Sequence, residues 1–176
     1  MKIRNLSSVI IIFIIFGSVF TACGMRRSPE PELPALSLAE INGETLWRHI
    51  MEDSDYTQYR EWSEHSGIQP GQSPHGVWHR VFGNRTLFDV LPISNSVAPD
   101  GTIIVKENFD SNKELRSITV MAKVRDWDSA NGDWFWAMYA PDGTVNAEGS
   151  LNGCISCHEG MIDNDYVIIN PLSEKP

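Results

Sequence analysis

The chain has 176 residues, with 14 Lys and Arg against 23 Asp and Glu, a net charge of −9. A surface this acidic argues against nucleic-acid binding and against electrostatic attachment to anionic lipid. The length allows one domain with one substantial core.

The first segment reads as a leader. Lys2 and Arg4 give it a positive start, and Val9 to Phe20 is apolar apart from Gly17 and Ser18. The run is shorter than the ~20 residues a spanning helix needs, and fits a signal-peptide core over residues 1–22. It ends in Phe20-Thr21-Ala22-Cys23. A small residue before a cysteine resembles a bacterial lipobox, so Cys23 is expected to be the lipidated first mature residue, with ordinary cleavage nearby as the alternative. Either route places the chain outside the cytoplasm. Loss of Lys2 and Arg4 leaves 12 basic against 23 acidic residues, a net of −11.

Residues 23–37 include RRSPEPELP, a Pro- and Glu-rich tether with no apolar periodicity. The folded domain is expected over residues 38–176. Ile41, Trp47, Ile50 and Met51 recur at helical spacing and predict a helix over about Ser37–Met51, interrupted at Gly43. Tyr56, Tyr59, Arg60 and Trp62 predict a second short helix capped by Ser54 or Asp55. Gly67 to Gly76 is a loop by its Gly and Pro content.

The pattern then changes period. Val77 to Phe82, Thr86 to Val90, Gly101 to Phe109, Leu115 to Val124, Trp134 to Ala140 and Thr144 to Glu148 read as strands, with Asp165 to Asn170 as one more candidate. Asp100-Gly101, Asn131-Gly132 and Pro141-Asp142-Gly143 mark turns between them. Ile118, Val120, Ala122 and Val124 alternate against Thr119, Met121 and Lys123. In the WFWAMYA segment Trp134 and Trp136 share one face and Phe135 takes the other, so that strand is expected to be buried on both sides. Close turns without long intervening helices indicate an α+β fold: N-terminal helices, then an antiparallel sheet of about five strands.

Cys154, Cys157 and His158 spell C-x-x-C-H. Two thiols at this spacing add across the vinyl groups of one haem, and the next histidine offers an imidazole nitrogen to the iron. A redox dithiol would need a βαβ setting, and a zinc site would need a second ligand pair, where the only other cysteine is Cys23. The expectation is one covalently attached haem c on a C-terminal turn, with His158 as iron ligand and no disulfide.

The segments HGVWHRVF, GTIIVKEN, ITVMAKV, GDWFWAMYAPDG and CISCHEG, in that order, resemble the cytochrome P-460 family, which includes the cytochromes c'-beta. The likeness runs from about Leu38 to Asn170. It implies a mono-haem c-type protein, commonly a homodimer, with five-coordinate iron open on its distal side. One branch oxidises hydroxylamine and bonds a lysine to its haem. The c'-beta branch lacks that bond and binds nitric oxide in an apolar pocket. The lysine of the G-T-x-x-V-K-E segment matches Lys106, which alternation puts on one face with Ile104 and Asn108.

The resemblance thus implies a periplasmic, lipid-anchored cytochrome that oxidises hydroxylamine or reacts with nitric oxide and passes electrons to a soluble cytochrome. The alternatives are a nitric oxide binder without turnover and a plain electron-transfer cytochrome. Hydroxylamine oxidation needs a distal base, for which Glu107, Asp133 and Glu148 are candidates. A gas binder would need a phenylalanine cap, with Phe82, Phe88 and Phe109 as candidates. His75 and His79 would share one face of a strand, where they could line a pocket. His49 and His65 read as surface or helix-packing residues. Met121, Met138 and Met161 are expected to fill core gaps rather than to bind iron.

Overall fold

The computed structural model describes residues 36–37, 39–62, 65–91, 93 and 95–168. The expected leader, Cys23, nearly all of the tether, the domain start at residue 38 and the end of the last predicted strand lie outside them. All described residues belong to one compact unit, Leu33–Pro176.

The first helix, α1, spans Gly43–Arg48 and starts six residues later than its periodicity predicts. Asn42 decides the start. Its side chain accepts from Thr45 N at 2.9 Å, and Thr45 Oγ1 accepts from Asn42 N at 3.0 Å, a reciprocal capping box. Gly43 is therefore the first helical residue and not an interruption. Its N–H donates to Glu148 Oε2 at 2.6 Å, and a Cβ there would collide with the Glu148 and Val145 side chains. Glycine is the residue that lets α1 dock this closely. A wider turn over His49–Asp53 ends the helix, with Ser54 N–H bonded to the His49 carbonyl. A 3₁₀ turn, Tyr56–Gln58, follows, capped by the Asp55 carboxylate. The second predicted helix stops there, because Arg60 and Glu61 pair with Gly83 and Phe82.

Among the described residues seven strands form one antiparallel sheet, where about five were predicted. They are β1 (Arg60–Glu61), β2 (Gln69–Pro70), β3 (Trp78–Gly83), β4 (Ile103–Phe109), β5 (Leu115–Lys123), β6 (Trp134–Tyr139) and β7 (Val145–Gly149). The order is β1-β3-β4-β5-β6-β7, with β2 also paired to β3. The extra strands are two-residue pieces, too short for any sequence period to register.

Residues 85–88 form a helix, α2 (Arg85–Phe88), where a strand was predicted. A segment this short carries no period of its own. Asn84 settles it: Oδ1 accepts from Leu87 N at 3.2 Å and from Ile103 N at 3.1 Å, and Nδ2 donates to the Gly101 carbonyl at 2.8 Å. The predicted strand from Asp165 is also absent among the described residues: Asp165 and Tyr166 form a turn with φ of 52° and 67°. The haem-motif residues lie on α3 (Asn152–His158), followed by 3₁₀ turns over Glu159–Asn164.

The sheet carries a core on each face. On the first, Leu46, Ile50 and Tyr56 pack on Phe82, Ile103, Val105, Ile118, Val120, Phe135 and Tyr139. On the second, Val81, Ile104, Met121, Trp134 and Trp136 pack under Leu87, Phe88, Ile93, Ile155, Tyr166 and Val167. This two-sided burial explains why β4 opens on three consecutive apolar residues, Ile103, Ile104 and Val105.

Asn84→Ala should lower the unfolding free energy by about 1–3 kcal/mol, since it removes a helix cap and leaves Ile103 N and the Gly101 carbonyl unpaired. Denaturant titration of the purified protein measures this.

Candidate functional site: a histidine- and lysine-lined face over the C-terminal helix

The second face of the sheet gathers the chemistry. Register pairs His79 with Asn108, Val81 with Lys106, and Lys106 with Thr119. On the next ladder Met121 pairs with Trp136. Strand alternation then sends these side chains to the side on which α3 lies, and sends Glu107 to the opposite side.

On α3, Cys154 and Cys157 are free thiols one helical turn apart, the first half-buried and the second exposed. Ile155 is buried and anchors the helix to the second core, against which Cys154 also packs. Burial, and secondarily the neighbouring Cys157, push the Cys154 thiol above its ordinary pKa.

His158 closes the helix. Its ring stands at 72° to Trp136 with centroids 4.8 Å apart. Its Nδ1 lies 2.7 Å from the Tyr166 carbonyl oxygen. A carbonyl can only accept, so Nδ1 carries the proton and Nε2 keeps its lone pair. Burial lowers the His158 pKa, the Tyr166 carbonyl opposes that, and the charge of Lys106 adds to it. A neutral imidazole with one nitrogen tied to the backbone is the form that binds metal.

Facing it are three more nitrogen bases. Lys106 is half-buried, and desolvation pushes its pKa down to about 8. His75 and His79 are each pushed down to about 4 by burial, with the charge of Lys106 as the next cause. The His75 ring is 6.3 Å from that of His158, nearly perpendicular, and the His79 ring is 6.3 Å from that of His65. Asn108 Nδ2 reaches Ser117 Oγ and Thr119 Oγ1, each at 3.3 Å. Trp136 Nε1 and His79 Nδ1 are buried with no hydrogen-bond partner among the described residues. A buried donor left unpaired is costly unless something else meets it.

The three carboxylates considered as a distal base are all engaged elsewhere. Glu107, on the first face, accepts from Tyr56 Oη at 2.9 Å and Arg80 Nε at 2.8 Å. Asp133 ties its own turn through Asp128 N and Ser129 Oγ. Glu148 holds the start of α1. Of the phenylalanine candidates, Phe82 stands edge-on to Tyr56 in the first core, Phe88 packs with Trp62 in the second, and Phe109 is buried. Met121 fills the second core and Met138 is exposed.

Sequence reasoning had Cys154, Cys157, His158, Lys106, His75 and His79 as candidates, and the fold brings His75 within electrostatic reach of Lys106, His158 and His79, and Lys106 within reach of all three histidines. It missed the Tyr166 carbonyl, which carries no side-chain signal. It missed Lys123, whose inward position beside Met121 in β5 was the available clue.

The Cytochrome P460 family model matches residues 56–169, which takes in the whole sheet and α3. The chain belongs to the cytochrome P460 family. A search of the curated proteins finds no match. Cytochrome P460 membership implies a haem cofactor and a c-type cytochrome. The residues present fit that group: paired thiols, an imidazole with a free Nε2, and an unpaired indole N–H beside it. The acids do not belong to this site. Glu107→Gln should therefore lower stability by about 1.5–3 kcal/mol, the scale of a hydrogen bond to a charged group, and leave the visible absorption spectrum of the haem-loaded protein unchanged.

Proposed function

We propose that this chain is a mono-haem c-type cytochrome, with haem attached through Cys154 and Cys157 and held by His158 as the proximal iron ligand, acting on hydroxylamine or nitric oxide. The observation that carries the reading is the His158 contact: Nδ1 is committed to the Tyr166 carbonyl at 2.7 Å, directly after two free thiols one turn apart. When bound, haem supplies one-electron redox chemistry and a coordination site for a small nitrogenous ligand.

The chain's own residues do the rest. The Tyr166 carbonyl fixes the His158 tautomer and raises its basicity as a ligand. Trp136 walls one side of the imidazole. Lys106 offers an amine that desolvation brings toward neutrality, the state in which it can bond to an oxidised porphyrin edge. Oxidising hydroxylamine also requires proton acceptors. With the carboxylates engaged elsewhere, His75 and His79 take that role: His75 Nδ1 lies 3.5 Å from Thr119 Oγ1, and His79 Nδ1 is buried with no partner among the described residues. A face of histidine, lysine and asparagine favours turnover over an apolar gas pocket.

The leader over residues 1–22, lipidation at Cys23, the tether over 23–37 and the haem domain over 38–176 complete the proposal. They describe a periplasmic protein held to a bacterial membrane by lipid, working as a homodimer and delivering electrons to a soluble cytochrome.

A second reading rests on His75. The His75 ring lies 6.3 Å from the His158 ring, so His75 is the residue that would hold the iron as a second ligand. A haem held by two histidines would leave no open position for a substrate, and the protein would carry electrons only.

Acidified organic solvent should leave the pigment on the polypeptide; pigment that washes free overturns covalent attachment. Peptide mapping should find Lys106 joined to the haem peptide, and Lys106→Ala should remove that adduct, shift the ferrous absorption band and abolish hydroxylamine oxidation with an artificial acceptor. A low-spin ferric spectrum that turns high-spin in His75→Ala would establish the second reading instead.

A further inference from the structure

Behind His158 lies a buried ion pair. Lys123 Nζ donates to Asp165 Oδ1 at 2.9 Å and to Oδ2 at 2.7 Å, and also to the Gly132 carbonyl. The ammonium sits 4.8 Å above the Trp134 ring. The two side chains are only 5% and 6% exposed. Asp165 Oδ2 also accepts from Ala98 N at 2.8 Å, and the Asp165 carbonyl accepts from Trp134 Nε1 at 2.9 Å. One residue is thus gripped from β5, from β6 and from the loop before β4.

The grip falls on a turn that needs it. Asp165 and Tyr166 both adopt positive φ, 52° and 67°. Successive non-glycine residues hold this conformation only where their surroundings dictate it. The turn is what presents the Tyr166 carbonyl to His158 Nδ1. Stability alone is a poor reason for such a pair, because burying two charges roughly cancels their attraction.

We propose that Lys123 and Asp165 are positioning residues for His158: the pair pins the Asp165–Tyr166 turn, and so fixes the carbonyl that holds the imidazole in one tautomer and one orientation. The inference rests on His158 being the iron ligand, as proposed above. A ligand histidine that loses its Nδ1 hydrogen bond becomes a weaker donor to the metal. The iron–histidine bond should loosen and the oxidised state should lose stabilisation.

The test uses the full-length, haem-loaded protein. Lys123→Met alone would strand the Asp165 charge and risks unfolding, so the main variant is Lys123→Met/Asp165→Asn, which removes both charges together. Trp134→Phe is a second variant that keeps the Lys123–Asp165 pair but loses the bond to the Asp165 carbonyl, together with some buried volume and part of the ring contact to the Lys123 ammonium. Near-ultraviolet circular dichroism checks folding. In the folded variants the iron–histidine stretching band should move to lower frequency and the midpoint potential should rise, more in the double variant than in Trp134→Phe. Wild-type band and potential in both folded variants would overturn the positioning role while leaving His158 as ligand. A His158→Ala protein that keeps the wild-type band would overturn the ligand assignment, and the positioning role with it.

Discussion

A sheet whose central strands are apolar on both sides has to be covered twice, and that requirement organises this protein. β4 has Ile103 and Val105 on one face and Ile104 on the other, and all are buried. Neither face can be left to water without exposing a large apolar area. The N-terminal elements cover the first through Leu46, Ile50 and Tyr56. The C-terminal segment covers the second through Ile155, Tyr166 and Val167. The thiols and His158 are carried on that second cover, so the need to bury Ile104, Met121 and Trp136 is what brings them over the sheet.

The same geometry sorts the charges. Lys106 and Glu107 are adjacent in sequence and opposite in charge. On a strand they point to opposite faces. Glu107 is taken up by Arg80 and Tyr56, and among the described residues Lys106 is left beside His75, His79 and His158 with no carboxylate to hold its proton. Desolvation then acts on an unneutralised amine, which is why its pKa falls. The polar face owes its basic character to this separation.

Much was legible in the sequence because it depends on local spacing. The alternation in Leu115–Val124, the aromatic strand at Trp134 and the turns at Asp100-Gly101 and Asn131-Gly132 are all present as read. So is the shared face of Ile104 and Lys106. The errors lie where one side chain outweighs the period. Asn42 and Asn84 set helix starts by capping, and the capping bonds turned a predicted strand at residue 86 into α2. Gly43 looked like a break and proved to be a contact point, because its meaning depends on Glu148, 105 residues away. At Asp165 the alternation suggested a strand, but a buried lysine from β5 held the backbone in a turn instead.

The sequence by itself determined what is written in consecutive residues: the paired thiols with their adjacent histidine, the side of β4 that Lys106 would take, the α+β class and the apolar faces of each strand. These follow from covalent spacing and strand period, which need no knowledge of distant partners. Only the tertiary structure decided which groups meet. The tie from His158 to the Tyr166 carbonyl, the Lys123–Asp165 pair behind it, the approach of His75 and the removal of Glu107, Asp133 and Glu148 from the site each join residues through space. Such contacts are fixed by how two covers close over a shared sheet, and no local pattern along the chain encodes that closure.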